Sequence, residues 1–187
     1  MIAKPGLYKF YAENGLEGAE KIKNDTASIG TQFHEGVYHR FNGSKPAIPI
    51  TPQAQGMIDA FFDKFVQPYK VQPISLEQKV WNIDLRTHGT FDGIVKVHDM
   101  PYGRARTKYT GTVLADWKSS SGIYDTHGIQ LGGYWICLPN APQDGLIVQV
   151  DRDTQALRKK VFNDLRWYTE EFKTHIVTGK QIGRAHV

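Results

Sequence analysis

The chain has 187 residues, 40% of them hydrophobic and 22% charged, which suits a globular protein with one sizeable core and excludes a disordered or fibrous chain. Its single cysteine, Cys137, excludes an internal disulfide and any zinc or iron–sulfur centre built from the chain's own cysteines, and fits a reducing cytoplasm. A net charge of +4 and a pI of about 9.1 lean towards a polyanionic partner.

No apolar run approaches the roughly 20 residues of a membrane helix. The N-terminal stretch has neither the apolar segment of a secretion signal nor the Arg- and Ser-rich, acid-poor composition of a mitochondrial presequence. From Leu16 to Phe41 the pattern is helical, with one face on Ala19, Ile22, Lys23 and Thr26. A second face starts near Ser28, on Ile29, Phe33, Val37 and Phe41. Thr51 is a natural N-cap before Pro52, and the next helix carries Met57, Ile58, Phe61, Phe62, Phe65 and Val66 before stopping near Pro68.

Strand patterns follow at Ile74–Leu85 and Thr90–His98. A polar connection runs through Arg104, Arg106 and Lys108, and a third strand spans Thr112–Trp117. The three read as an antiparallel meander. After the loop Ser119–Gly122, Asp125 or Thr126 caps a helix through Ile129, Leu131, Tyr134, Trp135 and Leu138. Leu146–Val150 is a short apolar strand. Asp151–Asp153 then caps a long helix with Leu157, Val161, Leu165, Tyr168 and Phe172 on its face. The expected architecture is α/β, a mixed central sheet flanked by helices. The tail Ile182–Val187 reads as the translation of a common sequencing-adapter string, so the domain is expected over 1–181 with 182–187 foreign to it and both natural ends expected to lie further out.

The chemistry centres on Leu114-Ala115-Asp116-Trp117-Lys118-Ser119-Ser120. In a strand, Asp116 and Lys118 share one face and Trp117 takes the other. A carboxylate at a strand end can hold a hard cation. A lysine beside it can orient or deprotonate a water, or neutralise charge developing on phosphorus. Alone, the pair is equally an ordinary surface ion pair.

Its company gives it meaning. The order αβββαβ, with Gly89-Thr90-Phe91-Asp92 on the second strand and Asp116-Trp117-Lys118 on the third, resembles the PD-(D/E)xK nuclease superfamily and its restriction-endonuclease-like core. Gly30-Thr31-Gln32-Phe33-His34, Glu77 on the first strand, and Gln130-Leu131-Gly132-Gly133-Tyr134 resemble motifs of the RecB-like exonuclease branch. Asp-Trp-Lys-Ser-Ser is most similar to the mitochondrial genome maintenance exonuclease and phage-encoded relatives.

The resemblance implies a Mg²⁺- or Mn²⁺-dependent DNA exonuclease of bacterial or phage origin. It would be cytoplasmic and without an iron–sulfur cluster, acting in recombination, repair or replication, alone or beside a helicase or annealing protein. Asp92, Asp116 and the backbone carbonyl of Trp117 would be metal ligands, with His34 a ligand or water-holder. Glu77 would assist a second metal or pair with a basic side chain. Lys118 would serve the attacking water, and Gln130 and Tyr134 would buttress it. Ser119 and Ser120 are candidate phosphate donors. Arg104 and Arg106 are candidates for tracking a DNA backbone. Trp81, Tyr102 and Tyr124 are possible base-stacking groups. An endonuclease on the same fold and a non-catalytic nucleic-acid-binding module are the alternatives.

Overall fold

A computed structural model of the protein describes residues 5–103 and 107–178. Arg104 and Arg106, and the expected foreign tail, lie outside the described residues.

Helix α1 (Pro5–Phe41) is broken at Gly15, where φ is 67° and ψ 171°. A Cβ disfavours that conformation, so the break falls on glycine. The second face expected from Ser28 onwards is present: Phe33 and Val37 are buried, Ile29 and Phe41 pack beside them, and the Ser28 hydroxyl accepts from Gln32 Nε2 within the helix. Helix α2 (Pro52–Phe61) begins as expected, with Thr51 Oγ1 accepting from the Ala54 N–H and proline at its start. It widens into one π turn, Phe62–Val66, and Phe61, Phe62 and Phe65 are all buried.

Among the described residues, five strands form one sheet in the order of the chain: β1 (Gln72–Asn82), β2 (Thr87–Tyr102), β3 (Thr107–Lys118), β4 (Asp144–Val150) and β5 (Leu157–Phe162). β3 and β4 are parallel, joined through helix α3 (Asp125–Trp135); every other neighbouring pair is antiparallel. One face packs Phe33, Val37, Met57, Phe61 and Phe65 of α1, α2 and the π turn onto Val95, Val113, Trp117 and Val148. The other packs α3 and α4 (Leu165–Thr178) onto Leu114, Ile147 and Phe162. α3 and α4 touch closely: a Cβ at Gly132 would fall 2.5 Å from the Tyr168 carbonyl carbon. No described helix is long and apolar enough to cross a membrane.

The polar connection from Asp99 is largely strand: β2 runs to Tyr102 and β3 resumes at Thr107. A bulge between Val97 and Met100, with Asp99 at φ 53°, interrupts the alternation and hides the strand in the sequence. The long helix from Asp151 is instead the β4–β5 hairpin followed by α4. Asp151 Oδ1 accepts from the N–H groups of Asp153 and Thr154, the chemistry of a helix cap used to close a turn. Leu157 and Val161 lie four apart, a spacing that keeps them on one face at either period, 2 or 3.6.

Candidate active site

β2 and β3 pair with Gly93 opposite Ala115, so Asp92 and Asp116 fall side by side one step further on. Both are buried, 6% and 2% exposed. Asp92 is held from two sides. Its Oδ1 lies 3.0 Å from His34 Nδ1, and its Oδ2 accepts from the Trp117 N–H at 2.6 Å. Lys118 Nζ sits 2.5 Å from Asp116 Oδ2, an ion pair with both groups largely buried. The same ammonium donates to Gln130 Oε1 at 3.0 Å, and Gln130 Nε2 donates to Tyr134 Oη at 2.8 Å. Asp116, Lys118, Gln130 and Tyr134 thus form one chain of contacts from sheet to helix.

Each side chain is placed by its neighbours. Trp117 points to the opposite face, 4.9 Å from the Phe61 ring, and this fixes Asp116 and Lys118 towards α3. Gly30 lets α1 approach the loop after β3: a Cβ there would lie 3.1 Å from Ser119 Oγ. One turn later, His34 reaches Asp92. Gly89 makes room for the aromatic ring of Tyr134, since a Cβ at 89 would come within 2.6 Å of Cε1. Gln130 and Tyr134, four apart on α3, share a helix face.

Glu77 on β1 stands between the pairs Leu76↔Gly93 and Gln78↔Phe91, hence across from Asp92. Its φ of 49° is unusual for a non-glycine residue. One ligand atom from each of His34, Glu77 and Asp92 lies within 4.8 Å of the others. Two carboxylates and an imidazole, with the Asp116–Lys118 pair lining the same cavity as His34 and Asp92, fit a divalent cation that takes oxygen ligands and tolerates nitrogen. Trp117, whose carbonyl is the expected ligand, also donates its N–H to Asp92 Oδ2.

The charges are mutually dependent. Burial alone would lower the His34 pKa, but the Asp92 carboxylate, with Asp116 behind it, raises it to about 9. Burial and the charge on Asp92 push Glu77 up to about 7. Burial raises Asp116 as well, against the pull of Lys118. Burial works against the Lys118 ammonium, but Asp116 and Asp92 outweigh it and raise its pKa.

His34, Asp92, Asp116, Lys118, Gln130 and Tyr134 line one cavity of about 410 Å³. Thr126 and His127 complete its wall, and neither was among the sequence candidates. The signal for His127 was its place three residues before Gln130 on the same helix face. Its Nδ1 accepts from the Tyr124 N–H at 3.2 Å. Burial and the nearby Lys118 and Lys160 charges lower its pKa to about 4, so it faces the cavity as a neutral group. A second cavity of about 570 Å³ continues past His34 and Glu77 to Gly30, Thr31 and Ser119. Ser119 therefore borders the site. Ser120 spends its hydroxyl on the Gly122 carbonyl at 2.8 Å.

Compared with models of known protein families and with curated proteins, the chain matches none.

Proposed function

We propose that the protein is a divalent-metal-dependent nuclease that hydrolyses phosphodiester bonds of DNA from a free end, on a PD-(D/E)xK-type core of the RecB-like kind. The observation that carries the reading is the convergence of Asp92, Asp116, Lys118 and Gln130, from two adjacent strands and the following helix, on one cavity, with His34 above it. The order of one helical layer, three antiparallel strands, a crossover helix and a parallel strand is compatible with that core.

His34, Glu77, Asp92 and Asp116 would hold the cation, Mg²⁺ or Mn²⁺. When bound, it shields phosphate charge and makes a coordinated water more acidic. The protein's own groups do the rest. Lys118, kept as an ammonium by two carboxylates and aimed by Gln130, donates to the phosphate oxygen on which charge builds, or to the attacking water. Asp92, fixed by the Trp117 N–H, keeps its second oxygen directed at His34. Water adds to phosphorus as the leaving sugar oxygen departs and takes up a proton. The reading places the protein in DNA recombination, repair or replication, inside the cell.

The test is end-labelled linear DNA beside a closed circle of the same sequence, with Mg²⁺, Mn²⁺ or chelator. Metal-dependent loss of the linear strand alone supports the reading. Cutting of the circle moves the assignment to an endonuclease, and no cleavage by folded protein overturns it.

A further inference from the structure

Beyond the catalytic groups, the cavity has a lip built to one side. The loop after β3 is tied down at successive residues. Ser120 Oγ donates to the Gly122 carbonyl at 2.8 Å, Gln149 Nε2 donates to the Ser120 carbonyl, and Arg158 Nη1 donates to the Ser121 carbonyl at 2.8 Å. Tyr124 ends this loop with its side chain 53% exposed. Its ring meets the His127 ring edge-on, with centroids 5.4 Å apart, and its hydroxyl lies 3.3 Å from Ser121 Oγ. His127 and Thr126 line the cavity, so the Tyr124 ring packs against a residue of its wall.

Beside the ring runs the sheet edge β5. Leu157 and Val161 turn to the core, and Arg158 and Lys160 are exposed on the other side. Arg158 Nη1 reaches Ser121 and Lys160 Nζ donates to Asp125 Oδ1 at 2.8 Å, so the two cations hold residues on either side of Tyr124. The Asp125–Lys160 pair is exposed, 90% and 44%, and such pairs exchange partners at little cost.

We propose that Tyr124, Arg158 and Lys160 form a docking track for single-stranded nucleic acid leading out of the cavity, the ring stacking on an unpaired base and the two cations meeting successive phosphates. A fixed, exposed aromatic ring offers a face that any base can cover, but only when that base is free of a duplex partner. Cations two residues apart on a strand stand about 6.6 Å apart along it, a spacing suited to an extended backbone. Pinning the loop in advance removes the ordering cost that a mobile loop would bring to binding. The direction of the track rests on the nuclease reading of the cavity; its existence as a binding surface does not.

The experiment is fluorescence anisotropy with a labelled oligothymidylate of about 12 nucleotides, in chelator so that nothing is cut, across a salt series. Tyr124→Ala should weaken binding roughly 5- to 150-fold, and Tyr124→Phe should bind like the wild type, because stacking needs the ring and not the hydroxyl. The Arg158→Ala/Lys160→Ala double variant should flatten the slope of log affinity against log salt by about 1.4, with Arg158→Lys retaining it. Thermal melting of each variant separates lost contacts from lost folding. Equal binding by folded Tyr124→Ala, an unchanged salt slope in the folded double variant, or no binding by the wild type overturns the track. The cleavage assay is scored separately. Cleavage with no Tyr124 or salt-slope effect leaves the nuclease reading standing without the track, and ring-dependent binding without cleavage does the reverse.

Discussion

Asp116 and Lys118 meet at 2.5 Å on one face of β3, with side chains only 3% and 19% exposed, and Trp117 between them faces the other way. Removing one partner leaves the other as a buried charge without its counter-ion. Lys118→Ala should therefore abolish cleavage and also cost about 3–5 kcal/mol of stability. The double variant Asp116→Asn/Lys118→Met should recover much of that stability and none of the activity. Thermal melting and a cleavage assay together check this. Retained cleavage in Lys118→Ala, or a double variant no more stable than the single, would contradict the assignment.

A second consequence concerns pH. In the folded protein Glu77 holds its proton to about pH 7 and His34 to about pH 9, against ordinary values of 4.5 and 6.5. Both groups bind protons more tightly folded than unfolded, so each contributes stability that is lost as pH rises. Glu77's share goes between 4.5 and about 7, and His34's between 6.5 and about 9. The melting temperature of metal-free protein should fall across that range. Glu77→Gln should flatten the lower part and His34→Gln the upper. Mn²⁺ competes with these protons and should stabilise the protein more at about pH 8 than at about pH 6. A metal effect independent of pH would remove these residues from the binding site.

The glycines at the site separate packing from chemistry. Gly89→Ala would put a methyl 2.6 Å from the Tyr134 ring, and Gly132→Ala would put one 2.5 Å from the Tyr168 backbone. The ring can tilt, at a typical overpacking cost of about 1–3 kcal/mol. The backbone of α4 can yield only by moving the helix. Gly132→Ala should show the larger drop in melting temperature. Gly89→Ala should show the larger loss of turnover per folded molecule, because tilting Tyr134 disturbs Gln130 and Lys118. Turnover normalised to folded fraction tests the contrast.

Tyr134→Phe removes the oxygen that accepts from Gln130 Nε2 at 2.8 Å and leaves the ring in place. The amide loses its orientation, and with it the acceptor that aims Lys118. A loss of about 1 kcal/mol in transition-state stabilisation, several-fold in rate, is expected with little change in stability. A purely structural tyrosine would show the opposite split.

The sequence was informative where one spacing allows one structure. Thr51-Pro52 marks a helix start, and Asp116-Trp117-Lys118 alternates faces whether or not it is catalytic; both arrangements are present. Gln130 and Tyr134 meet because four residues is one helical turn. Leu157 and Val161 misled because four residues is also two pleats of a strand, and because Asp151 closes a turn with the same hydrogen bonds that cap a helix. The bulge at Asp99 hid the ends of β2 and β3 in the same way. The contact of Glu77 with the Asp92 side of the site depends on a positive φ on an edge strand. Nothing in the order of residues announces that conformation.

The most direct test of the account is cleavage of end-labelled single-stranded DNA by wild type, Asp116→Asn and Lys118→Ala, with Mn²⁺ or chelator, with binding measured on the same samples. The account predicts metal-dependent shortening by the wild type alone, with both variants still binding DNA within a few-fold because a single phosphate contact is a small part of the electrostatic affinity. Shortening by either variant at the wild-type rate, or none by folded wild type with any divalent ion, would contradict it.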